Sequence, residues 1–331
     1  KNAPIGDDDI AASVTLTGQA VIKFSNELIK EFIKKEIPTI TDQELEECIV
    51  YNDTDSSYVS ITPLVNKGLK FLDGDDIHQD THDKIQEIEN YINDGVKKWA
   101  KKALLSKDSR FIFKRECIAD VGVFLQKKRY VMHILDDEGI KENKFKYTGV
   151  EVVRTTMPNA IKPYAKKIIE TMLSTQSLTK TNKVLNETYD IFKELKPEEL
   201  AFVMGVKGYE KYAVNCNEFN TVKSMPIHVK SAYFYNLLLK KLKTGNKYEE
   251  MSSGDKVRYM YVEKPNKYGL DSIGFKYSYP SEFQEVFKVD YDKMFEKIIF
   301  QGIERFYDCV GWRIRKPADN VTVELFDLFS K

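Results

Sequence analysis

The stretch Cys48-Ile49-Val50-Tyr51-Asn52-Asp53-Thr54-Asp55-Ser56-Ser57-Tyr58-Val59 decides the reading of this chain. Two apolar, β-branched runs flank a short polar break, and Asp53 and Asp55 stand at i and i+2 within it. Runs of this kind separated by Asn, Asp and Ser pair as a tight β-hairpin. The tip then carries two hard oxygen donors on a rigid base. Mg²⁺, or Mn²⁺ in its place, keeps several waters and accepts phosphate oxygens. One or two carboxylates at a turn therefore suffice when a phosphate-bearing substrate completes the sphere. Phosphoryl or nucleotidyl transfer is the chemistry this implies. A plain Asx turn, with Thr54 and Ser56 as local hydrogen-bonding partners, fits the same spacing, and the residues alone leave both readings open.

Working outward, Ala12 to Lys35 carries Val14, Gly18, Val21, Ile22, Phe24, Ser25, Leu28, Ile29, Phe32 and Ile33 near the helical period, with Pro38 just past its end. A polar connection from Asp73 to Asp83 leads into a second helix from Asp83 to about Leu105, presenting Ile85, Ile88, Ile92, Val96 and Trp99. Phe111 to Leu125 and Tyr130 to Leu135 read as strands joined through Gln126-Lys127-Lys128-Arg129, and Lys144 to Arg154 extends the same β-rich unit. The pattern changes at Thr156-Met157-Pro158. Helical patterns then cover Ala160 to Leu173, Lys183 to Leu195, about Val229 to Leu242 and Tyr291 to Tyr307. An irregular or β-containing middle runs from Gly254 to Tyr279. The fold class expected is α+β, a mixed layer followed by a mostly helical domain.

Composition bounds the function. Lys and Arg number 51 and Asp and Glu 51, so the chain is not a polycationic binder, and any nucleic-acid surface must be a local concentration of basic groups. Cys48, Cys117, Cys216 and Cys309 lie far apart, without the paired spacing of a zinc site or disulfide framework. No run approaches about 18 apolar residues, so a soluble, cytoplasmic protein without a membrane partner is expected. The first residue is Lys1 instead of Met, which fits processing, missing first residues or a piece of a longer polypeptide. Gln126-Lys127-Lys128-Arg129-Tyr130 packs three cations and an aromatic into five positions. Lysine meets phosphate as a point charge, arginine holds it bidentately, and tyrosine packs on sugar.

Tyr51-Asn52-Asp53-Thr54-Asp55-Ser56 resembles the palm-domain metal motif of family B DNA polymerases, with Asn52 at the usual glycine position. Both residue types tolerate positive φ, which makes the departure mild. Lys127-Lys128-Arg129-Tyr130 resembles the element by which T-even-type bacteriophage members hold primer-strand DNA. Lys146-Tyr147-Thr148-Gly149-Val150-Glu151 is similar to the next element along, and Thr155-Thr156-Met157-Pro158 to the palm-to-thumb junction. Met225-Pro226-Ile227-His228-Val229-Lys230, Ala232-Tyr233-Phe234-Tyr235-Asn236 and Ser253-Gly254-Asp255-Lys256-Val257 resemble stretches of the thumb. His228 itself reads as a packing or helix-start residue. Glu324-Leu325-Phe326-Asp327-Leu328-Phe329-Ser330-Lys331 resembles the tail by which the phage enzymes engage a sliding clamp.

The resemblance implies a palm remnant with a mixed or antiparallel sheet over 1–157, including a preceding fingers-to-palm helix. A thumb with a β-containing insertion over 158–320 and a clamp-binding tail over 321–331 would follow. It further implies Asp53 and Asp55 as catalytic and metal-binding carboxylates. Lys127, Lys128, Arg129, Tyr130, Lys146, Thr148, Gly149, Lys207, Lys230 and Lys256 would meet DNA, and Leu325, Phe326, Leu328 and Phe329 the clamp. Primer-template DNA, a deoxynucleoside triphosphate and an N-terminal polymerase subunit or region are the implied partners, in a phage-infected bacterial cell. The family's other metal-binding aspartate motif, its nucleotide-binding fingers element and its proofreading carboxylates have no counterpart in the sequence, so a split or partial polymerase, inactive alone, is expected. A non-catalytic DNA-binding processivity module and another divalent-metal phosphotransferase are the alternatives.

Overall fold

The computed structural model describes residues 8–105 and 109–317. The chain forms two compact units, one of residues up to Lys128 together with Met132–Lys146, the other of Arg129–Val131 together with the residues from Tyr147 onward. The architecture is a mixed α+β fold with small antiparallel sheets and many helices.

In the first unit, helix α1 (Asp8–Glu36) packs against α4 (Gln79–Ala103). The stripe Val21, Leu28, Ile29, Phe32 and Ile33 meets Ile88, Ile92 and Val96 as one core, as the 3.6-residue spacing of both segments requires. Val14, which the same periodicity puts on the apolar face, is exposed. Helix α2 (Asp42–Glu47) starts on a capping box in which Thr41 and Glu44 each accept from the other's backbone N–H. Strands β1 (Ile49–Asp53) and β2 (Ser56–Val59) form the expected hairpin. Helix α3 (Thr62–Asn66) follows the hairpin; the short pair β3 (Leu72–Asp73) and β4 (Asp76–Ile77) then occupies the start of the connection read as polar from Asp73 to Asp83, and α4 takes its end from Gln79.

Strands β5 (Cys117–Gln126), β6 (Arg129–Asp137) and β7 (Ile140–Thr148) make a three-stranded sheet in that order. The strand expected from Phe111 begins at Cys117 instead. Asn93 of α4 explains the difference: its side chain accepts from Phe113 N at 2.8 Å and donates to Phe113 O at 2.9 Å. Glu89 accepts from Arg115 N at 3.0 Å. A helix satisfies this backbone, which therefore has no need of a sheet partner. The extension toward Arg154 also stops early, because Gly149 takes φ +61° and a 3₁₀ turn (Glu151–Val153) follows.

In the second unit, α5 (Lys162–Thr175) packs on α6 (Leu178–Lys193). After α7 (Pro197–Leu200) come β8 (Phe202–Gly205), α8 (Tyr209–Ala213) and α9 (Ile227–Lys241). Strands β9 (Lys256–Tyr261) and β10 (Ser272–Phe275) complete an antiparallel sheet in the order β10-β9-β8 with α9 laid on it. Gly274 makes that close packing possible, since a β-carbon there would stand 2.7 Å from the Ser231 carbonyl oxygen. Helix α10 (Ser281–Gln284) is followed by α11 (Tyr291–Phe295), a π-helical turn (Glu296–Phe300) and α12 (Gln301–Cys309), where the sequence reads as one helix. Phe192, Tyr189 and Phe295 form an edge-on aromatic core between α6 and α11.

Candidate active site and nucleic-acid interface

Asp53 pairs with Ser56 across the hairpin, so the loop is the two residues Thr54 and Asp55, with Thr54 at φ +36°. The left-handed conformation thus falls on Thr54 and not on Asn52, which is an ordinary strand residue. The glycine position of the motif therefore makes no demand on φ here. Asn52 does something else. Its Oδ1 accepts from Asn26 Nδ2 at 3.2 Å and lies 2.8 Å from Ser57 Oγ, which is also 2.8 Å from Asn26 Oδ1. Asn26 is buried on α1, so this polar knot clamps the hairpin to the helix.

The hairpin has a second support. Tyr51, Tyr58 and Phe124 of β5 pack mutually with ring centroids 5.4 to 5.9 Å apart. The Tyr51 hydroxyl accepts from Lys128 N at 3.0 Å. Lys127 and Lys128 are the two-residue loop between β5 and β6, and Lys128 takes φ +60°. So anchored, Lys128 reaches Asp53: its Nζ lies 3.2 Å from Asp53 Oδ1, which also accepts from Thr54 Oγ1 at 3.2 Å. The Asp53 side chain is 27% exposed and that of Lys128 59% exposed. Asp55 is exposed at the loop. Among the described residues no group of three or more His, Cys, Asp or Glu is arranged to hold a metal ion. What the hairpin offers is two hard oxygen donors, a set that fits a partly hydrated Mg²⁺ or Mn²⁺ whose remaining ligands come from elsewhere.

The other expected contact residues are scattered over both units. Lys127 is exposed, Arg129 partly covered, and Tyr130 only 5% exposed, which suits packing better than stacking on a base. Lys146 pairs with Glu116 at 3.4 Å. Its neighbour Tyr147 donates to Glu170 at 2.6 Å and lies under Lys166. Burial first and the Glu170 carboxylate second push its phenol well above the usual range. Thr148 ends β7 and Gly149 makes the turn after it. Lys207 is exposed beside Gly208 at the start of α8. Lys230 is engaged by both oxygens of Asp271, at 3.1 and 3.2 Å. Burial opposes the charge on Asp271, yet Lys230 holds the carboxyl below its ordinary range. Lys256, with Arg258, Lys276 and Tyr277, lines a shallow cavity of about 560 Å³ on the β8-β9 side of the second unit. His228 is half-buried, and burial lowers its pKa. Leu325, Phe326, Leu328 and Phe329 lie outside the described residues.

A family model, DNA polymerase family B, matches residues 109–310, well over half of the chain. The chain belongs to DNA polymerase family B. It is also 26% identical, over an alignment of 341 positions, to a DNA-directed DNA polymerase of Escherichia phage RB69. That alignment covers 96% of this chain and 35% of the phage polymerase, so this family B chain spans about a third of the length of that relative.

Several site residues escaped the sequence reading. Asn26 carried a usable signal, a polar residue that with Ser25 interrupts the mostly apolar buried stripe of α1. Arg305 carried none: its ion pair with Glu151 joins positions 154 residues apart in sequence.

Proposed function

We propose that this family B chain supplies the palm aspartates and thumb of a DNA-directed DNA polymerase. The reaction is template-directed attack of a primer 3′ hydroxyl on the α-phosphate of a deoxynucleoside triphosphate, with pyrophosphate leaving. The observation that carries the reading is the pairing of Asp53 with Lys128, which brings the aspartate loop and the Lys127-Lys128 loop together within one unit.

Each residue has a part. Asp55, open at the loop, presents a carboxylate for a divalent cation, and Asp53 supports it as a second donor or as negative charge. Bound there, Mg²⁺ would supply positive charge for the attacking and departing oxygens. The Asn26-Asn52-Ser57 knot and the Tyr51-Tyr58-Phe124 cluster fix the loop, as catalytic carboxylates require. Lys127, Lys128 and Arg129 hold the primer strand by its phosphates, insensitive to sequence. Lys146, Thr148, Gly149, Lys207, Lys230 and Lys256 extend that contact along the duplex. Residues 321–331 would tether the enzyme to a sliding clamp.

Two carboxylates do not complete a two-cation centre, and the chain aligns with only about a third of its phage relative. Polymerisation therefore needs further polymerase sequence, joined to this chain or bound to it, bearing the remaining carboxylate and the nucleotide-binding groups. A primer-extension assay of the chain with and without that portion tests the reading. Extension by the combination, lost on Asp55→Ala, is expected. A combination that binds primer-template yet never extends it, with any divalent metal, would leave the non-catalytic processivity module as the better account.

A further inference from the structure

We propose that the last two turns of α4 and the backbone that runs back along them form a docking surface for an acidic, amphipathic segment of a partner protein. The proposal goes beyond the polymerase reading and does not depend on it.

The sequence marks this place by charge. The whole chain is balanced at 51 basic and 51 acidic residues, yet from Gly95 to Arg115 there are eight basic residues and one acid. Helix α4 buries Ile88, Ile92, Val96 and Ala100, so positions 97, 98, 101 and 102 fall together on the side turned away from the core. Lysine fills all four, and each is exposed. Asp94, a turn earlier, sets one negative charge against these four. The helix dipole accounts for cations in the last turn, Lys101 and Lys102, but not for the pair before them. Arg110 and Lys114, on the returning backbone, are exposed as well. None of these six cations is in an ion pair among the described residues. The backbone lies along the helix because Asn93 holds the N–H and C=O of Phe113 while Glu89 holds the N–H of Arg115. Two extended residues advance about as far as four helical ones, so Phe111 comes level with Lys97.

Apolar side chains stand exposed in the same place. Leu105 is 86% exposed and Ile112 72%, beside Leu104 and Phe111 at 39% and 37%. Leu105 follows the C-cap of α4 at φ +50°, where glycine or asparagine avoids the strain that a leucine bears. The fold draws little burial from that leucine, and an apolar partner would. Charge complementarity names the occupant: lysines along one helix face attract carboxylates, and the leucines and isoleucine beside them call for apolar side chains on the same segment. Nucleic acid would satisfy the lysines but leave the aliphatic groups in water, since its bases stack on aromatic rings. A lipid surface calls for an apolar stripe along the helix with cations beside it, and the apolar stripe of α4 is covered by α1.

The test uses the full chain and a fluorescent synthetic peptide of about 18 residues, an amphipathic helix with leucine or phenylalanine at every third or fourth position and glutamate between. Saturable binding, followed by anisotropy, is expected. Lys97→Gln with Lys101→Gln removes two exposed charge pairs and should weaken it by about 2- to 30-fold, with a smaller dependence on salt than the wild type shows. Leu105→Asn with Ile112→Ser should weaken it by about tenfold or more while keeping the salt dependence of the wild type. Ile112→Ser alone gives the same direction should the turn at Leu105 shift. Lys183→Gln removes a charge from α6 and should match the wild type. A scrambled peptide of the same composition has no apolar face and should bind more weakly by about tenfold or more. Binding unchanged in both double variants, equal binding of the scrambled peptide, an equal loss in Lys183→Gln, or no binding of the peptide at all would overturn the proposal. Two further probes, oligo(dT) and vesicles containing phosphatidylserine, decide the class of occupant. Either one bound more tightly than the peptide, and lost in the same variants, would overturn the proposal in favour of nucleic acid or lipid.

Discussion

Replacing Lys128 by Met separates two roles that one ammonium group plays in this account. The Lys128–Asp53 pair spans 3.2 Å, but the lysine side chain is 59% exposed, so solvent screens it. Exposed pairs of this kind are worth about 0.2 to 1 kcal/mol. That is also the amount a divalent cation must overcome to take Asp53 from the lysine. Lys128→Met should therefore tighten Mn²⁺ binding by about 1.4- to 5-fold, since about 1.4 kcal/mol corresponds to a factor of ten. The same variant should bind primer-template more weakly, with a salt slope shallower by about 0.9. The assay is a titration of the full chain with Mn²⁺, following the free ion by electron paramagnetic resonance at neutral pH, beside an anisotropy titration with DNA. Lys127→Met is the control, because the ammonium group on Asp53 is that of Lys128, and its Mn²⁺ affinity should match the wild type. Unchanged or weaker Mn²⁺ binding by Lys128→Met would refute the placement of Asp53 in the cation site.

Other consequences can be checked separately. Asp55→Ala, in the chain combined with the further polymerase sequence that the proposed function calls for, should lower single-turnover incorporation by at least about a hundredfold while primer-template affinity stays within twofold. Asn26→Ala removes two links of the knot that holds the hairpin and should cost about 1 to 3 kcal/mol by urea unfolding. Gly274→Ala forces a methyl group against the Ser231 carbonyl and should destabilise by about 1 to 3 kcal/mol or more, with α9 the first helix to lose hydrogen-exchange protection. Asp271 has its pKa held below the ordinary 3.8, so its charged form stabilises the fold above that value and the benefit is lost as pH falls through the depressed pKa. An acid-unfolding curve should be flatter in that window for Lys230→Met than for the wild type.

The sequence declared its structure where a local rule governs. The α1 and α4 stripes follow the helical period, and their burial from Val21 onward matches it. The Asp53-Asp55 hairpin follows from turn chemistry, and the basic loop at Lys127-Lys128 from two strands that meet at a pair of polar residues. What stayed hidden depends on partners distant in sequence. Phe111 to Arg115 has the residues of a strand, but Asn93 and Glu89 take up its backbone groups. The π-helical turn interrupts a segment whose apolar spacing reads as continuous helix. Strand β8 is four residues long and exists because β9 is there to pair with it. In the site, the aspartates announced themselves, whereas the lysine on Asp53, the asparagine behind the loop and the arginines on Glu151 were visible only once the chain was folded.

On the proposed function, the Asp53-Asp55 loop would gather a divalent cation at the end of the primer strand. Fe²⁺ in place of Mg²⁺, with peroxide and ascorbate, cuts nucleic acid within reach of the bound ion and so maps that position directly. With labelled primer-template and the completed polymerase, the account predicts primer cuts centred on the last few nucleotides at the 3′ end, absent from the Asp53→Ala/Asp55→Ala double variant. Cuts at a distance from the primer terminus, or an unchanged pattern in the double variant, would contradict it.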